Sequence, residues 1–309
     1  MHIAILGANS HIGQDLTISL GSLPSSTRLS LFSRSPLELA YSLSEKRLSV
    51  DWKCLSYSDF YEDKSYDAII NFVGVGSPAK AIKLGADILD ITLEFDTLAL
   101  NYVRKRPKTK YIFASSGAVY GLDFGEPATK MKPSSFDINR LSPHDWYGIS
   151  KFHVETRHRT YIDLPLVDIR IFSYFSYTSD IDSGFLLGDI LKSIKHKKVF
   201  RTSSQNIVRD FAGPQEISSL VQNILYGAPA NLAIDCFTQS PIDKMSLLEL
   251  MRSEFSLEFE LVRNPPGLNF SQTRVNYFSK NKDATEIFGY KPANKSADVV
   301  INQIKKMFS

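Results

Sequence analysis

Cysteine is nearly absent from the chain: there are two, Cys54 and Cys236, far apart and in no CxxC pattern. That excludes a disulfide framework and leaves no zinc signature, so no metal ligand set is expected. Reduced thiols fit a cytoplasmic protein. No apolar run reaches the length of a membrane span, and no membrane partner is expected. The first strand-like run starts almost at Met1 with no charged n-region or apolar h-region before it, so a cleaved leader is not expected. Charge of one sign is scarce too. The formal net charge is only +3, with no basic stripe, which argues against nucleic acid as a partner. The short KHKK run, Lys195 to Lys198, reads as a solvated helix end.

What is present is the composition of an ordinary globular protein. With 309 residues, 43% of them hydrophobic, the chain can bury a sizeable core in one large domain or two coupled ones. Its first half alternates two patterns. Short apolar runs such as HIAILGA (2–8), RLSLFS (28–33), YDAIINFVG (66–74), KYIFASS (110–116) and LPLVDIRIFS (164–173) read as strands. Between them lie stretches with helical spacing, including DILDITLEFDTLALNYVRKR, whose basic end suits a helix C-terminus. This order predicts an α/β fold, a Rossmann-like doubly wound parallel sheet with a smaller α+β C-terminal substrate region. The expected division is a dinucleotide-binding part over 1–173, rejoined by a segment near 203–238, and a mainly substrate-binding part over 174–309. The tail is broken at Pro265, Pro266 and Gly267.

ILGANSHIG joins the first strand to the first helix. A sharp turn there aims backbone N–H groups and a helix N-terminus at a diphosphate. Gly7 and Gly13 stand where a Gly-x-x-Gly-x-x-Gly loop has its first and third glycines, with Ser10 in the middle place; Asn9, His11 and Ile12 complete the expected cradle. Phe72, Val73 and Gly74 should flank it after a neighbouring strand. Ser33 and Arg34 end the second strand, where an NAD site usually places an acid. A hydroxyl and a guanidinium suit a 2′-phosphate instead, so NADP is the expected cofactor and NAD the second choice.

HDWYGISKF holds Tyr147 and Lys151 four residues apart. Alone, this is equally one turn of a solvated helix. Upstream, FASSGAVYG ends a strand whose C-terminal end should face the same crevice, bringing Ser116 beside the cofactor. Ser116, Tyr147 and Lys151 then make a set for hydride chemistry at a carbonyl. The oxygen needs a proton, and a free tyrosine, with a pKa of about 10, exchanges one poorly near neutrality. A nearby ammonium should favour the phenolate and lower that value. Ser116 should hold the substrate oxygen in line.

In Gly7-x-x-Ser10-x-x-Gly13, SSGAVYG, YGISK, VRDFAGPQEISSLV and YFSKNKDATEIFGYKP, taken in this order, the chain resembles the extended short-chain dehydrogenase/reductases of the nucleotide-sugar epimerase/dehydratase type. The resemblance covers nearly the whole chain. It implies that Ser116, Tyr147 and Lys151 are catalytic, that the substrate is a nucleotide sugar, and that the protein pairs as a homodimer through two helices. Arg209 in VRDF, and Arg274 after it, are the expected contacts for the substrate's phosphates. There are departures. The asparagine common in the helix before the catalytic strand is matched by Asp90, and the family's Arg-x-Phe-Asn ends in Ser173. Where the 4,6-dehydratase subgroup has Asp-Glu, this chain has Gly117 and Ala118, so elimination of water is not expected. The leading expectation is an NADPH-dependent keto-sugar reductase of surface-polysaccharide sugar biosynthesis. The alternatives are an epimerase with bound NAD and, from another class, a dinucleotide-binding regulator without turnover.

Overall fold

A computed structural model of the chain describes residues 1–61, 65–74, 83–85, 87–182, 184–263 and 274–309. The breaks expected at Pro265, Pro266 and Gly267 lie outside the described residues. Seven strands form one parallel sheet: β1 (His2–Leu6), β2 (Arg28–Phe32), β3 (Asp51–Leu55), β4 (Ala68–Asn71), β5 (Lys110–Ser116), β6 (Leu166–Ile171) and β7 (Leu232–Asp235), in the order β7-β6-β5-β4-β1-β2-β3. β1 is buried along its whole length because it lies at the centre with helices on both faces. Its side chains alternate between two cores. Ile3 and Ile5 join Leu16, Leu20, Leu29 and Leu31 on one face, while Ala4 and Leu6 join Phe32, Phe60, Tyr102 and Phe113 on the other. The expected doubly wound sheet is therefore present.

Helices α1 (His11–Leu20) and α2 (Pro36–Ser44) follow the first two strands. α3 (Asp87–Lys105) and α4 (Pro143–Arg159) pack together against the second face. α4 begins at Pro143, four residues before Tyr147. Pro143 occupies its first turn, and Asp145 accepts from the Ser142 N–H at 2.9 Å and from its hydroxyl at 2.8 Å, which caps the helix.

After Ser173 the chain leaves the sheet, and it returns through a later segment. Phe211–Ala212 pairs in parallel with Ser173–Tyr174, and a further helix and β7 follow. The helices here are α5 (Leu186–Lys195), α6 (Pro214–Tyr226), α7 (Lys244–Phe255), α8 (Asp283–Phe288) and α9 (Ser296–Phe308). Phe175, Ile190, Phe200, Leu248, Met251, Val300 and Ile304 make a separate core. A small sheet sets Val208–Arg209 between Ile242–Asp243 and Asn276–Tyr277. Among the described residues, no helix is long and apolar enough to cross a membrane. Cys54 and Cys236 are both free.

The face that α4 turns to the sheet is polar. His158, fully buried, reaches Asp168 of β6 from Nδ1 and Asp96 of α3 from Nε2, both at 2.7 Å. A ring that donates from both nitrogens is an imidazolium. Burial alone would lower its pKa; the two carboxylates override that and raise it to about 9. Arg157 and Arg159 take the second oxygens of Asp96 and Asp168, at 2.8 and 2.7 Å. Tyr111 donates to Asp96 at 3.0 Å and accepts from Asn71 at 2.9 Å, and Asn71 in turn accepts from the Val73 N–H. This chain of bonds fixes α3 and α4 against β4, β5 and β6.

Replacing His158 by Leu leaves one oxygen of each of two buried carboxylates without its partner and should cost about 3–5 kcal/mol in urea unfolding at pH 6. The raised pKa sets the sign of the pH dependence. The stabilisation is complete below the unfolded value of about 6.5 and fades as pH rises through about 9. The gap between wild type and H158L should therefore narrow over that window. A gap independent of pH would mean that the ring is neutral in the fold.

Candidate active site

The carboxyl ends of β1, β4 and β5 lie side by side, since Leu6 pairs with Asn71 and Asn71 with Phe113. The turn after β1 is tight. Gly7 has φ +73°, and a Cβ there would meet the Phe72 carbonyl carbon and the Val73 nitrogen at 2.9 Å. A Cβ on Gly13 would stand 2.4 Å from the Gly7 oxygen. Ser10 caps α1, its hydroxyl accepting from the Gly13 N–H at 3.1 Å. The serine in the middle glycine's place thus caps the helix with its oxygen and keeps its own proton free to donate. His11 turns away from the loop, bonding Ser176 at 2.7 Å and packing edge-on against Tyr174. Asn9 stays exposed at the turn, and Ile12 packs partly buried behind it. Two glycines that admit no side chain, opening the N-terminus of α1, fit a dinucleotide diphosphate.

At the end of β2 the two expected residues separate. Ser33 is fully buried, and its hydroxyl accepts from the Ser35 N–H at 3.0 Å. Arg34 is exposed. Ser33 therefore does not present its hydroxyl beside Arg34 for a 2′-phosphate. Tyr57, which sequence reasoning missed, stands here with its hydroxyl 3.1 Å from the Gly7 N–H. No local motif marks it, because it meets the loop across fifty residues of chain.

Ser116, Tyr147 and Lys151 come together as expected. Ser116 is buried at the end of β5, and its oxygen accepts from the Ala118 N–H at 3.2 Å. Its neighbour Ser115 instead bonds Glu155 of α4, which Arg170 of β6 grips through two nitrogens. Lys151 Nζ donates to the Ala114 carbonyl at 2.8 Å and lies 4.4 Å above the Phe113 ring. Gly74 faces it: a Cβ there would be 3.1 Å from Nζ. Burial brings the lysine down to about 8, against the pull of Glu155, Asp168 and Asp96.

Tyr147 departs from expectation. Its pKa is pushed up to about 12, not lowered. Burial of the phenol is the main cause; the neighbouring Ser116 hydroxyl and the Arg274 charge work the other way. Lys151 Nζ lies 6.0 Å from the ring centre and is engaged with Ala114, so in this arrangement it offsets burial too little. Asp90, matched to a family asparagine, is exposed on α3 and takes no part.

The substrate-side arginines converge. Arg209 and Tyr277 sit opposite each other in the small sheet. Arg209 is buried, donates to the Val208 carbonyl at 2.7 Å, and has its pKa lowered to about 10 by burial. Its guanidinium lies 5.8 Å from the Tyr277 ring centre and that of Arg274 4.9 Å from it. Tyr277, also missed from sequence, directs its hydroxyl to Ser116 at 3.4 Å. Phe172 closes the other side: a Cβ on Gly117 would stand 2.4 Å from its ring.

A family model described as the NAD dependent epimerase/dehydratase family matches residues 3–216. No curated protein matches the chain in sequence. Solved structures share the fold. The UDP-glucuronic acid 4-epimerase of Bacillus cereus, in complex with UDP-glucuronic acid and NAD, has a TM-score of 0.78 at 14% identity, covering 100% of this chain and 99% of its own. The UDP-glucose 4-epimerase of Thermotoga maritima with UDP-glucose gives 0.78 at 16%, covering 100% and 98%. The dTDP-glucose 4,6-dehydratase of Bacillus anthracis in complex with NAD gives 0.76 at 15%, covering 100% and 96%.

The loop geometry makes a direct prediction. Gly13→Ala should abolish NAD and NADP binding in calorimetry while leaving the far-UV circular dichroism unchanged. Binding of either at wild-type affinity would show that the loop is not the diphosphate cradle.

Proposed function

The chain belongs to the NAD dependent epimerase/dehydratase family, and from that premise we propose that it is a nucleotide-sugar epimerase working with a tightly held nicotinamide dinucleotide. One observation carries the reading: the phenol of Tyr147 stands beside Ser116, with the buried Lys151 one helical turn on and no carboxylate in the Gly117 and Ala118 places. Elimination of water needs an acid and a base besides the tyrosine, and Phe172 fills the space a side chain at Gly117 would need. Inversion at one carbinol carbon needs only a phenol that takes a proton and gives it back.

The dinucleotide, when bound, supplies the hydride acceptor and donor together with a positive ring that favours ionised phenol. Gly7, Gly13 and the start of α1 hold its diphosphate. Tyr147 takes the proton from the sugar hydroxyl and later returns it. Lys151, charged below about pH 8, adds a positive charge on the phenol's side of the site but from behind the Ala114 carbonyl, so it eases ionisation of Tyr147 only in part. Ser116 holds the sugar oxygen in line. Arg209 and Arg274 receive the substrate's diphosphate. In this reading the protein works in the cytoplasm as a homodimer paired through α3 and α4.

NAD is favoured because Ser33 is turned inward, and the Bacillus cereus epimerase and Bacillus anthracis dehydratase were solved with NAD. A second reading, an NADPH-dependent keto-sugar reductase, has Arg34 in its favour, exposed at the end of β2. The two differ in stoichiometry. Offered UDP-glucose or UDP-glucuronic acid, an epimerase inverts the sugar with no net change at 340 nm. Stoichiometric oxidation of added NADPH by a keto sugar nucleotide would establish the reductase instead.

Tyr147→Phe should lower kcat about 10³-fold, since it removes the acid–base group. The pH profile supplies another check. Because burial lowers Lys151, its charge is complete well below pH 8 and is lost as pH rises through about 8. The rate should fall on that alkaline limb, and Lys151→Met should be slow at every pH with the limb missing. A limb that survives in K151M belongs to another group.

A further inference from the structure

We propose that Tyr277 is a positioning residue that fixes the direction of the Ser116 proton and so links the arginine end of the site to its reacting end. The assignment rests on the reading above, in which Ser116 and Tyr147 work on a sugar oxygen. A serine hydroxyl has one proton and two acceptor positions. One position of Ser116 is taken by the Ala118 N–H at 3.2 Å. The Tyr277 hydroxyl lies 3.4 Å away, a contact in which either hydroxyl can donate, and in this assignment the phenol donates and fills the other position. With both acceptor positions taken, the serine's own proton is left free for a third partner on the side where Tyr147 stands. A sugar oxygen bound between serine and phenol would meet that proton.

Tyr277 is built to hold this place. It is buried, 8% exposed, with Phe124 edge-on at 4.8 Å and Phe172 at 5.1 Å between ring centres. Its strand pairs with the one that carries Arg209, and Arg274 stacks on its ring at 4.9 Å. A diphosphate drawn onto either guanidinium therefore presses on the ring whose hydroxyl sets Ser116. The phenol thus couples occupancy of the anionic end to the geometry of proton transfer. Packing alone would need only the ring, so the hydroxyl is the part to remove.

The test is a double-mutant cycle over Y277F and S116A, read by single-turnover reduction of bound NAD at 340 nm after mixing with UDP-glucose or UDP-glucuronic acid. Y277F keeps the ring among Phe124 and Phe172. It should slow hydride transfer about tenfold, a smaller loss than for a direct proton donor, and leave the half-saturating sugar-nucleotide concentration within about twofold. In the S116A background the same change should have no further effect, because Tyr277 acts only through the serine. A wild-type rate in Y277F, or an equal loss in both backgrounds, overturns the assignment and leaves the epimerase reading standing. A wild-type protein that reduces no bound NAD with either sugar nucleotide overturns that reading, and this assignment with it.

Discussion

The site depends on how one helix is pinned to the sheet. Tyr147, Lys151, Glu155 and His158 recur at intervals of four, four and three, which places them in one row along α4. Every member below the tyrosine is tied to the sheet: Lys151 to the Ala114 carbonyl, Glu155 to Ser115 and Arg170, His158 to Asp168. The helix buries charge where most helices bury leucine. Each group has a partner of opposite sign or a hydrogen-bond acceptor, without which burial would be prohibitive. Register, not hydrophobic contact alone, is what this row specifies. A slip of one residue would break all three anchors and carry Tyr147 away from Ser116.

The same row explains what was legible in the sequence. The alternation of apolar strands and helices gave away the doubly wound sheet, because buried parallel strands have little choice of residue. Gly7 and Gly13 were readable from spacing, and the structure shows the backbone crowding that requires them. Ser116, Tyr147 and Lys151 were readable once placed in order along the chain. The polar row itself was not. A helix with lysine, glutamate and histidine on its inner face looks solvated until the strands opposite it are known. Asp96 and Asp168, which make His158 a cation, are respectively sixty-two and ten residues from it.

Tyr57 and Tyr277 were hidden for a related reason: both reach the site through tertiary contact, and although Tyr277 opens the YFSKNKDATEIFGYKP motif, nothing local to either residue says what its hydroxyl meets. The acidity of Tyr147 was misjudged because a lysine four residues on was taken to face the phenol oxygen. It faces the Ala114 carbonyl instead, and burial dominates. Ser33 was read as a phosphate contact, yet it is fully buried with its oxygen directed to its own turn. Sequence shows which groups are present; the direction in which each lone pair points is a property of the fold.

The central claim is that this helix row, the glycine turn and the paired arginines form one site spanning a dinucleotide and a sugar nucleotide. A crystal structure with NAD and a UDP-sugar tests it most directly. The account predicts the diphosphate of NAD on Gly7 and the start of α1, the nicotinamide beside Lys151, and a sugar hydroxyl within hydrogen-bond distance of both Tyr147 and Ser116. A UDP-sugar bound with its phosphates away from Arg209 and Arg274, or its sugar out of reach of Tyr147, would contradict it.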